Sequence, residues 1–234
     1  MSDKALNLFM DTSELCMESV KTMHNEFFSR MDYDWYYKVE PGDVCVDVGA
    51  CVGMFTAHAL DRGASKVYAI EPNPKFLKAV INNTWQYIVD EPTQKVVPVS
   101  YAIGSDMGHT DHVFYTDEFE VRPFSYFLEK FEIGHIDYLK IDCEGGEYDV
   151  LSKENLDFCI NNVKHIAVEC HLRASDDGHD KFIKFRNEFL KPFIDSGKFR
   201  MRFMNNNISE ILWDDKRIRN TGGEFMIYLT KING

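Results

Sequence analysis

The stretch VCVDVGACVGMFT, residues 44–56, decides the fold of this chain. Its first five residues form a short and nearly continuous apolar run, which is typical of a strand covered on both faces in a parallel sheet. Gly49 lets the chain turn sharply after this run, and Gly53 lets the helix that follows pack closely. We therefore expect the first strand–turn–helix unit of an α/β domain here.

Further runs of the same kind follow along the chain, with helical patterns between them. They cover residues 67–70, 96–99, 138–141 and 166–168. Two late runs, 200–204 and 225–229, predict an antiparallel pair that completes the sheet. Pro98 predicts an edge strand, because proline cannot donate to a ladder on both sides. The whole pattern indicates a Rossmann-like, doubly wound α/β fold with a mostly parallel, seven-stranded sheet.

The first part of the chain differs from the rest. Apolar residues recur there at near-helical spacing, and an aromatic cluster occupies residues 33–37. We expect residues 1–38 to form a helical and aromatic N-terminal extension, and residues 39–234 to form the ligand-binding domain. The aromatic cluster either covers the ligand site or packs the extension onto the sheet.

Composition excludes several classes of protein. The 234 residues carry 26 basic and 38 acidic side chains, a net charge of −12, and 44% of them are hydrophobic, which excludes global disorder. The acidic excess repels a phosphate backbone, so no nucleic-acid partner is expected. The longest run without charged residues, 48–60, is too short to span a membrane, and the first residues carry no secretory signal. We expect a cytoplasmic protein without membrane contact. Six cysteines without a CxxC pair favour a reducing compartment and no zinc site.

The turn after the first strand also indicates a class of cofactor. Glu71 ends the second predicted strand, where an acid is placed to accept hydrogen bonds from a ribose diol. A dinucleotide site needs a further glycine where Cys51 stands, because a side chain there crowds the diphosphate. Asp47 suits a ligand that carries an ammonium and a sulfonium but no phosphate, unless it is only a turn acid. These features favour S-adenosylmethionine.

Three motifs carry a specific resemblance. VCVDVGACVGMFT is followed by VYAIEPNP (67–74) and IDYLKIDCEGGEYDVL (136–151), and in this order they resemble the FkbM family of class I S-adenosylmethionine-dependent methyltransferases. The similarity covers about residues 40–172. It implies the class I methyltransferase fold, with S-adenosylmethionine as cofactor and S-adenosylhomocysteine as product. Cys51 departs from the asparagine that the family usually carries at this position.

The resemblance also implies which residues contact the cofactor. Those around its methionine half are Asp47, Gly49, Ala50 and Gly53, and those around its ribose and adenine are Glu71, Pro72, Ala102 and Ile103. Asp142 and Glu144 face the reacting methyl group in this comparison. Thr56 either binds the cofactor's carboxylate or is structural.

The ends of the fourth and fifth predicted strands indicate the chemistry. Asp142 and Glu144 share one face if strand alternation continues through them, and Glu169 and His171 share a face at the end of the next strand. If the two strands are neighbours, these side chains converge. His171 or Asp142 is then the general base for an alcohol, with Glu144 beside them.

Two alternatives to the general base stay open. Asp142, Glu169 and His171 could hold a divalent cation such as Mg²⁺, although we favour a site without metal. Glu169 and His171 could also be held by backbone amides and only order the loop. Glu147 is interpreted as an acid in the first turn of a helix, which the helix dipole favours.

The sequence therefore predicts a methyltransferase that methylates a hydroxyl of a small molecule or a sugar by in-line transfer, since the family's namesake activity is transfer to oxygen. A nicotinamide-dependent Rossmann oxidoreductase is the enzymatic alternative, and Asp47 and Cys51 argue against it. A non-catalytic S-adenosylmethionine-binding protein is the third possibility. The sequence does not predict the oligomeric state.

Overall fold

The computed structural model describes residues 21–23, 25–89, 94–105, 108–110, 119–173, 175–204 and 207–232. Seven of its strands form the main sheet: β1 Val44–Val48, β2 Lys66–Ile70, β3 Val96–Val99, β7 Ile136–Ile141, β8 Val163–His171, β9 Phe199–Phe203 and β10 Glu224–Lys231. A small second sheet contains β4 Ala102–Ile103, β5 Gly108–Thr110 and β6 Phe119–Arg122.

The main sheet has the order β3-β2-β1-β7-β8-β10-β9. The first five strands in this order are parallel, and β10 runs antiparallel to both of its neighbours, β8 and β9. This arrangement confirms the predicted doubly wound α/β fold and the late antiparallel pair. Pro98 lies in β3 at the edge of the sheet, as expected of a residue that lacks an N–H donor.

Helices cover both faces of the sheet. They are α1 Met54–Asp61, α2 Pro74–Thr84, α3 Gln86–Val89, α4 Phe124–Lys130, α5 Glu147–Val150, α6 Leu156–Asn162, α7 Gly178–Phe185, α8 Lys191–Asp195, α9 Asn207–Ile211 and α10 Asp215–Arg219. Asn73 caps α2, where its side chain accepts the Lys75 N–H at 2.9 Å and Pro74 occupies the first helical position. None of the described helices has the length and apolar character that crossing a membrane requires.

Strand β8 is longer than the sequence predicts. The apolar run covers 166–168, whereas the strand extends over nine residues, because its polar ends still pair with β7 and β10. His171 is the last residue of the strand, in agreement with its predicted place beside Glu169 at the strand end. This extension carries its side chain to the carboxyl edge of the sheet.

Described residues of the N-terminal extension pack onto one face of the sheet. The hydroxyl of Tyr138 in β7 donates to the backbone oxygen of Tyr33 at 2.5 Å, and the hydroxyl of Tyr228 in β10 donates to that of Asp32 at 2.7 Å. A π-helical turn, Asn25–Ser29, precedes this contact. Most of the predicted N-terminal helix lies outside the described residues, and the boundary at residue 38 stays a prediction.

Candidate active site

The turn between β1 and α1 needs glycine at two positions. Gly49 has φ +78°, and a Cβ atom there would lie 1.8 Å from the backbone oxygen of Asp142, so no side chain fits between β1 and β7. Gly53 has φ +85°, and its Cβ would lie 3.1 Å from the Cα of Val80 in α2. The helix that Gly53 allows to pack closely is therefore α2. Ala50, between them, is buried.

Cys51 adopts the left-handed conformation, with φ 49°. Asparagine tolerates this region better than cysteine does, which accounts for the asparagine that the resemblance leads one to expect here. The Cys51 N–H donates to Glu71 at 2.9 Å. Burial raises the pKa of the Cys51 thiol to about 12, so the side chain stays a neutral thiol at physiological pH.

Glu71 lies directly behind this turn, at the end of β2. It is 1% exposed, and its two oxygens accept the N–H groups of Cys51 and Asn73 at 2.9 Å and 2.8 Å. Burial raises the pKa of Glu71 to about 7, although both hydrogen bonds act in the opposite direction. The predicted ribose-binding carboxylate thus titrates near neutral pH. Pro72 follows it, half-buried.

The residues predicted to contact adenine lie next to the turn that follows β7. Ala102 and Ile103 form β4, and a Cβ atom on Gly146 would lie 3.7 Å from the backbone oxygen of Ile103. Ile103 is buried and Ala102 is half-buried. The two residues therefore border the carboxyl edge of the sheet, as their predicted role requires.

Lys140 is a site residue that the sequence analysis missed. It is buried in β7, and its ammonium donates to the Gly49 oxygen at 2.7 Å and lies 3.1 Å from Asp47 Oδ1 and 3.7 Å from Asp142 Oδ2. Burial lowers the pKa of Lys140, but Asp47 and Asp142 raise it further, so the group stays charged. Its signal was a lysine inside an otherwise apolar strand.

Asp47 is fully buried between Lys140 and α1. Thr56 donates its hydroxyl to the second Asp47 oxygen at 2.7 Å, which supports the structural role of that threonine. The carboxylate thus has no exposed surface for the predicted contact with a cofactor ammonium.

Asp142 marks the carboxyl end of β7. Its side chain is 26% exposed, and the Tyr33 hydroxyl donates to its Oδ2 at 3.1 Å. The expectation that Asp142 and Glu144 share a strand face is wrong, because β7 ends at Ile141 and Glu144 lies in a turn with φ 55°. Glu144 nevertheless faces the same site, with Oε2 3.5 Å from His171 Nε2.

Strands β7 and β8 are neighbours, as the predicted convergence requires. Ile141 pairs with Val168 in parallel register, so the residues that follow these two positions meet at one edge of the sheet. Asp142, Glu169 and His171 each offer an atom that lies within 4.8 Å of the other two. The convergence is confirmed. Burial and the neighbouring Asp142 carboxylate raise the pKa of Glu169.

Glu147 binds His171 from the protein interior. It is fully buried, and its Oε1 accepts a hydrogen bond from His171 Nδ1. The prediction that Glu147 lies in the first turn of a helix is confirmed, but its side chain turns inward from α5 to β8 and has the further role of binding His171. Burial lowers the pKa of His171, but the bond to Glu147 and the Glu147, Asp142 and Glu144 carboxylates raise it to about 10. The imidazole is then protonated near neutral pH and does not accept a proton.

The N-terminal extension adds a further carboxylate. Glu26 lies in the π-helical turn, and burial, followed by the charge of Asp142, raises its pKa. Arg30 lies 3.6 Å from Glu26 and also pairs with Asp32. The edge of β7 and β8 is thus strongly acidic.

Comparisons with known proteins agree with this geometry. Residues 47–201 match the model of a family described as the methyltransferase FkbM domain. No curated protein sequence matches the chain.

Several solved structures share the fold. A methyltransferase FkbM from Methylobacillus flagellatus KT is 15% identical with a TM-score of 0.59, and the alignment covers 88% of this chain and 47% of that one. A candidate rRNA-methylase from Clostridium thermocellum is 11% identical with a TM-score of 0.51 over 92% and 97% of the two chains. A candidate methyltransferase from Streptococcus mutans in complex with SAH is 12% identical with a TM-score of 0.50 over 91% and 97%. The chain thus spans about half the length of the first of these proteins.

Proposed function

The chain belongs to the FkbM methyltransferase family, and from this premise we propose that it methylates a hydroxyl of a small molecule or a sugar with S-adenosylmethionine as donor. The observation that carries the proposal is the convergence of Asp142, Glu144, Glu169 and His171 beside the glycine turn. Proton-accepting carboxylates beside a cofactor turn suit transfer to a hydroxyl, because a hydroxyl must lose its proton.

The residues of the turn fit S-adenosylmethionine. Gly49, Ala50 and Gly53 would line its methionine half, and Pro72, Ala102 and Ile103 its adenine. Each Glu71 oxygen accepts one backbone N–H and keeps a second lone pair for a ribose hydroxyl. The buried Lys140–Asp47 pair holds the turn without offering a free charge to the ligand.

The roles of the acidic edge follow from its charges. When bound, the cofactor supplies a methyl group on a sulfonium, which is a good leaving group. Asp142 and Glu144, exposed by 26% and 46%, are the candidate proton acceptors for the hydroxyl. His171 is the cation that keeps these carboxylates together, rather than the base, because its pKa of about 10 keeps it protonated.

A small acceptor is favoured over RNA. The net charge of −12 and the carboxylates at the edge of β7 and β8 would repel a phosphate backbone. The similarity to a candidate rRNA-methylase reflects the fold alone, at 11% identity.

Two measurements test the proposal. Calorimetric titration should give saturable binding of S-adenosylhomocysteine and none of NADH, and binding of NADH would instead support an oxidoreductase. Transfer of a labelled methyl group should then reach an acceptor in a panel of hydroxylated small molecules and sugars. Binding without any transfer would favour a non-catalytic protein, and transfer to RNA alone would refute the acceptor class.

A variant locates the chemistry within the site. Asp142→Asn should reduce turnover by about 100-fold or more, the usual loss when proton transfer is disabled. Asp157→Asn removes an exposed carboxylate of α6 and should leave turnover unchanged. Equal turnover in the two variants would remove Asp142 from the mechanism.

A further inference from the structure

We propose that Tyr33 of the N-terminal extension is a positioning residue of the methyl transfer, and that its hydroxyl holds the Asp142 carboxylate in the orientation that accepts the proton. The inference rests on the proposed function, in which Asp142 is a candidate proton acceptor. Tyr33 lies outside residues 47–201, the part of the chain that matches the family. The contact is therefore a property of the extension and not of the matched domain alone.

Two donors contact the same oxygen of Asp142. The Tyr33 hydroxyl donates to Oδ2 at 3.1 Å, and the Lys140 ammonium lies 3.7 Å from that atom. The Asp142 side chain is 26% exposed, so a ligand can still reach it. Because both contacts are made to Oδ2, we assign Oδ1 as the oxygen that accepts the proton of a hydroxyl.

Tyr33 acts on Asp142 only as a donor. The residue is 4% exposed, and burial, followed by the charge of Asp142, raises the pKa of its hydroxyl well above the usual value of about 10. The hydroxyl therefore keeps its proton at physiological pH. A neutral hydroxyl orients a carboxylate without neutralising it, whereas a cation at the same distance would weaken its tendency to take up a proton.

The position of Tyr33 is fixed by its neighbours. Its ring packs edge-on against Phe55 of α1, with 5.8 Å between the ring centroids, and its backbone oxygen accepts the hydroxyl of Tyr138 in β7 at 2.5 Å. The next residue, Asp34, lies with Oδ1 3.0 Å from Nε2 of His58 in α1. The extension is thus attached to the helix that follows the proposed cofactor turn and to the strand that precedes Asp142.

The orientation of the carboxylate matters for the chemical step. The acceptor oxygen forms the new bond to the methyl carbon, the C–S bond breaks, and its electron pair stays on sulfur to give S-adenosylhomocysteine. The proton of the hydroxyl passes to Oδ1 of Asp142, which must lie within hydrogen-bond reach of it. A carboxylate that rotates away slows this step without weakening the binding of the cofactor product.

Sinefungin tests the position of Asp142 without an acceptor. This analogue of S-adenosylmethionine carries an amine on carbon in place of the methylated sulfur, so its ammonium should reach a correctly placed Asp142. In calorimetric titrations, the wild type should bind sinefungin more tightly than S-adenosylhomocysteine. Tyr33→Phe should reduce this preference by about three-fold or more and keep its affinity for S-adenosylhomocysteine, which also shows that the variant folds.

Tyr37→Phe is the matched control. Tyr37 belongs to the same aromatic cluster, and its hydroxyl also donates to an aspartate, Asp43, at 2.9 Å. This variant should keep the wild-type preference for sinefungin. Absence of the preference in the wild type, or an equal preference in Tyr33→Phe and the wild type, would overturn the proposal.

A double variant separates positioning from general destabilisation. Asp142→Asn should abolish the preference for sinefungin, and adding Tyr33→Phe should cause no further loss, because Tyr33 acts through Asp142. A further loss in the double variant would contradict the assigned role.

The same titrations distinguish this inference from the proposed function. If S-adenosylhomocysteine does not bind the wild type, the proposed function fails. If it binds and Tyr33→Phe behaves as Tyr37→Phe does, only the positioning role is refuted. With an acceptor found in the panel, Tyr33→Phe should lower kcat by about ten-fold and change KM by less than about two-fold. A change in KM alone would overturn the positioning role.

Discussion

The buried carboxyl of Glu71 should make cofactor affinity depend on pH. Its pKa is about 7, and a ribose diol can donate two hydrogen bonds only to the ionised form. If only this form binds, the apparent Kd is multiplied by about 11 at pH 6 and by about 1.1 at pH 8. The affinity for S-adenosylhomocysteine should therefore increase about ten-fold from pH 6 to pH 8, which corresponds to about 1.4 kcal/mol of binding free energy. The charges that act on Glu71 from neighbouring elements are those of Lys140 and Asp47.

Calorimetric titration at pH 6, 7 and 8 measures this slope. Glu71→Gln cannot ionise, so its affinity should be weaker at pH 8 and nearly independent of pH. Glu129→Gln carries the same chemical change on the exposed face of α4 and should keep the wild-type slope. A flat profile in the wild type, or an unchanged slope in Glu71→Gln, would refute the assignment of Glu71 to the ribose.

Stability of the free protein provides a second readout of the same group. The folded-state pKa of Glu71 lies above the unfolded value of 4.5, so its contribution to stability is complete below pH 4.5 and is lost as the pH rises through about 7. The difference between the two pKa values corresponds to a loss on the order of 3 kcal/mol in the free energy of unfolding. Thermal unfolding should therefore show Glu71→Gln gaining stability relative to the wild type between pH 5 and pH 8.

Substitutions at Gly49 and Lys140 test the turn that holds the site. Gly49→Ala places a Cβ 1.8 Å from the Asp142 oxygen and should destabilise the fold severely, whereas Gly42→Ala meets no atom within 4 Å and should cost about 1–2 kcal/mol in backbone strain alone. Equal shifts of the midpoint of thermal unfolding would contradict this account. Lys140→Met leaves Asp47 buried without its cation and should lose about 3–5 kcal/mol in urea unfolding. Combining it with Asp47→Asn should recover part of that loss, and no recovery would exclude the ion pair as the cause.

Apolar runs and the positions of strand ends were sufficient to predict the fold and the convergence of polar side chains at the carboxyl edge of β7 and β8. Continuous apolar strands predicted a sheet covered on both faces, and Pro98 predicted its edge. Because parallel strands end at one edge of the sheet, the meeting of Asp142 with Glu169 and His171 followed from the adjacency of β7 and β8 alone. Such features depend on residue type and order along the chain, which a sequence displays directly.

The direction of individual side chains could not be predicted in the same way. The sequence shows Glu147 only as an acid in the first turn of a helix, and its burial under His171 depends on how α5 turns against β8. Strand alternation failed for Glu144 because β7 ends at Ile141, where its apolar run also ends, and the chain then turns. Asp47 was assigned to a ligand, but its carboxylate pairs with Lys140. The two residues are far apart in the sequence and lie opposite each other in the register of β1 and β7.

Lys140 also explains how the two halves of the site stay aligned. Its ammonium contacts the Gly49 oxygen, the Asp47 carboxylate and the Asp142 carboxylate, which belong to the proposed cofactor turn and to the proposed acceptor edge. The close approach of Gly49 to the backbone of Asp142 fixes the same two elements independently of any side chain. In-line transfer depends on the position of the reacting atoms to within about 1 Å. A backbone contact reinforced by a buried ammonium holds that position more tightly than flexible side chains could, so a small displacement of the turn would move Asp142 with it and preserve the alignment.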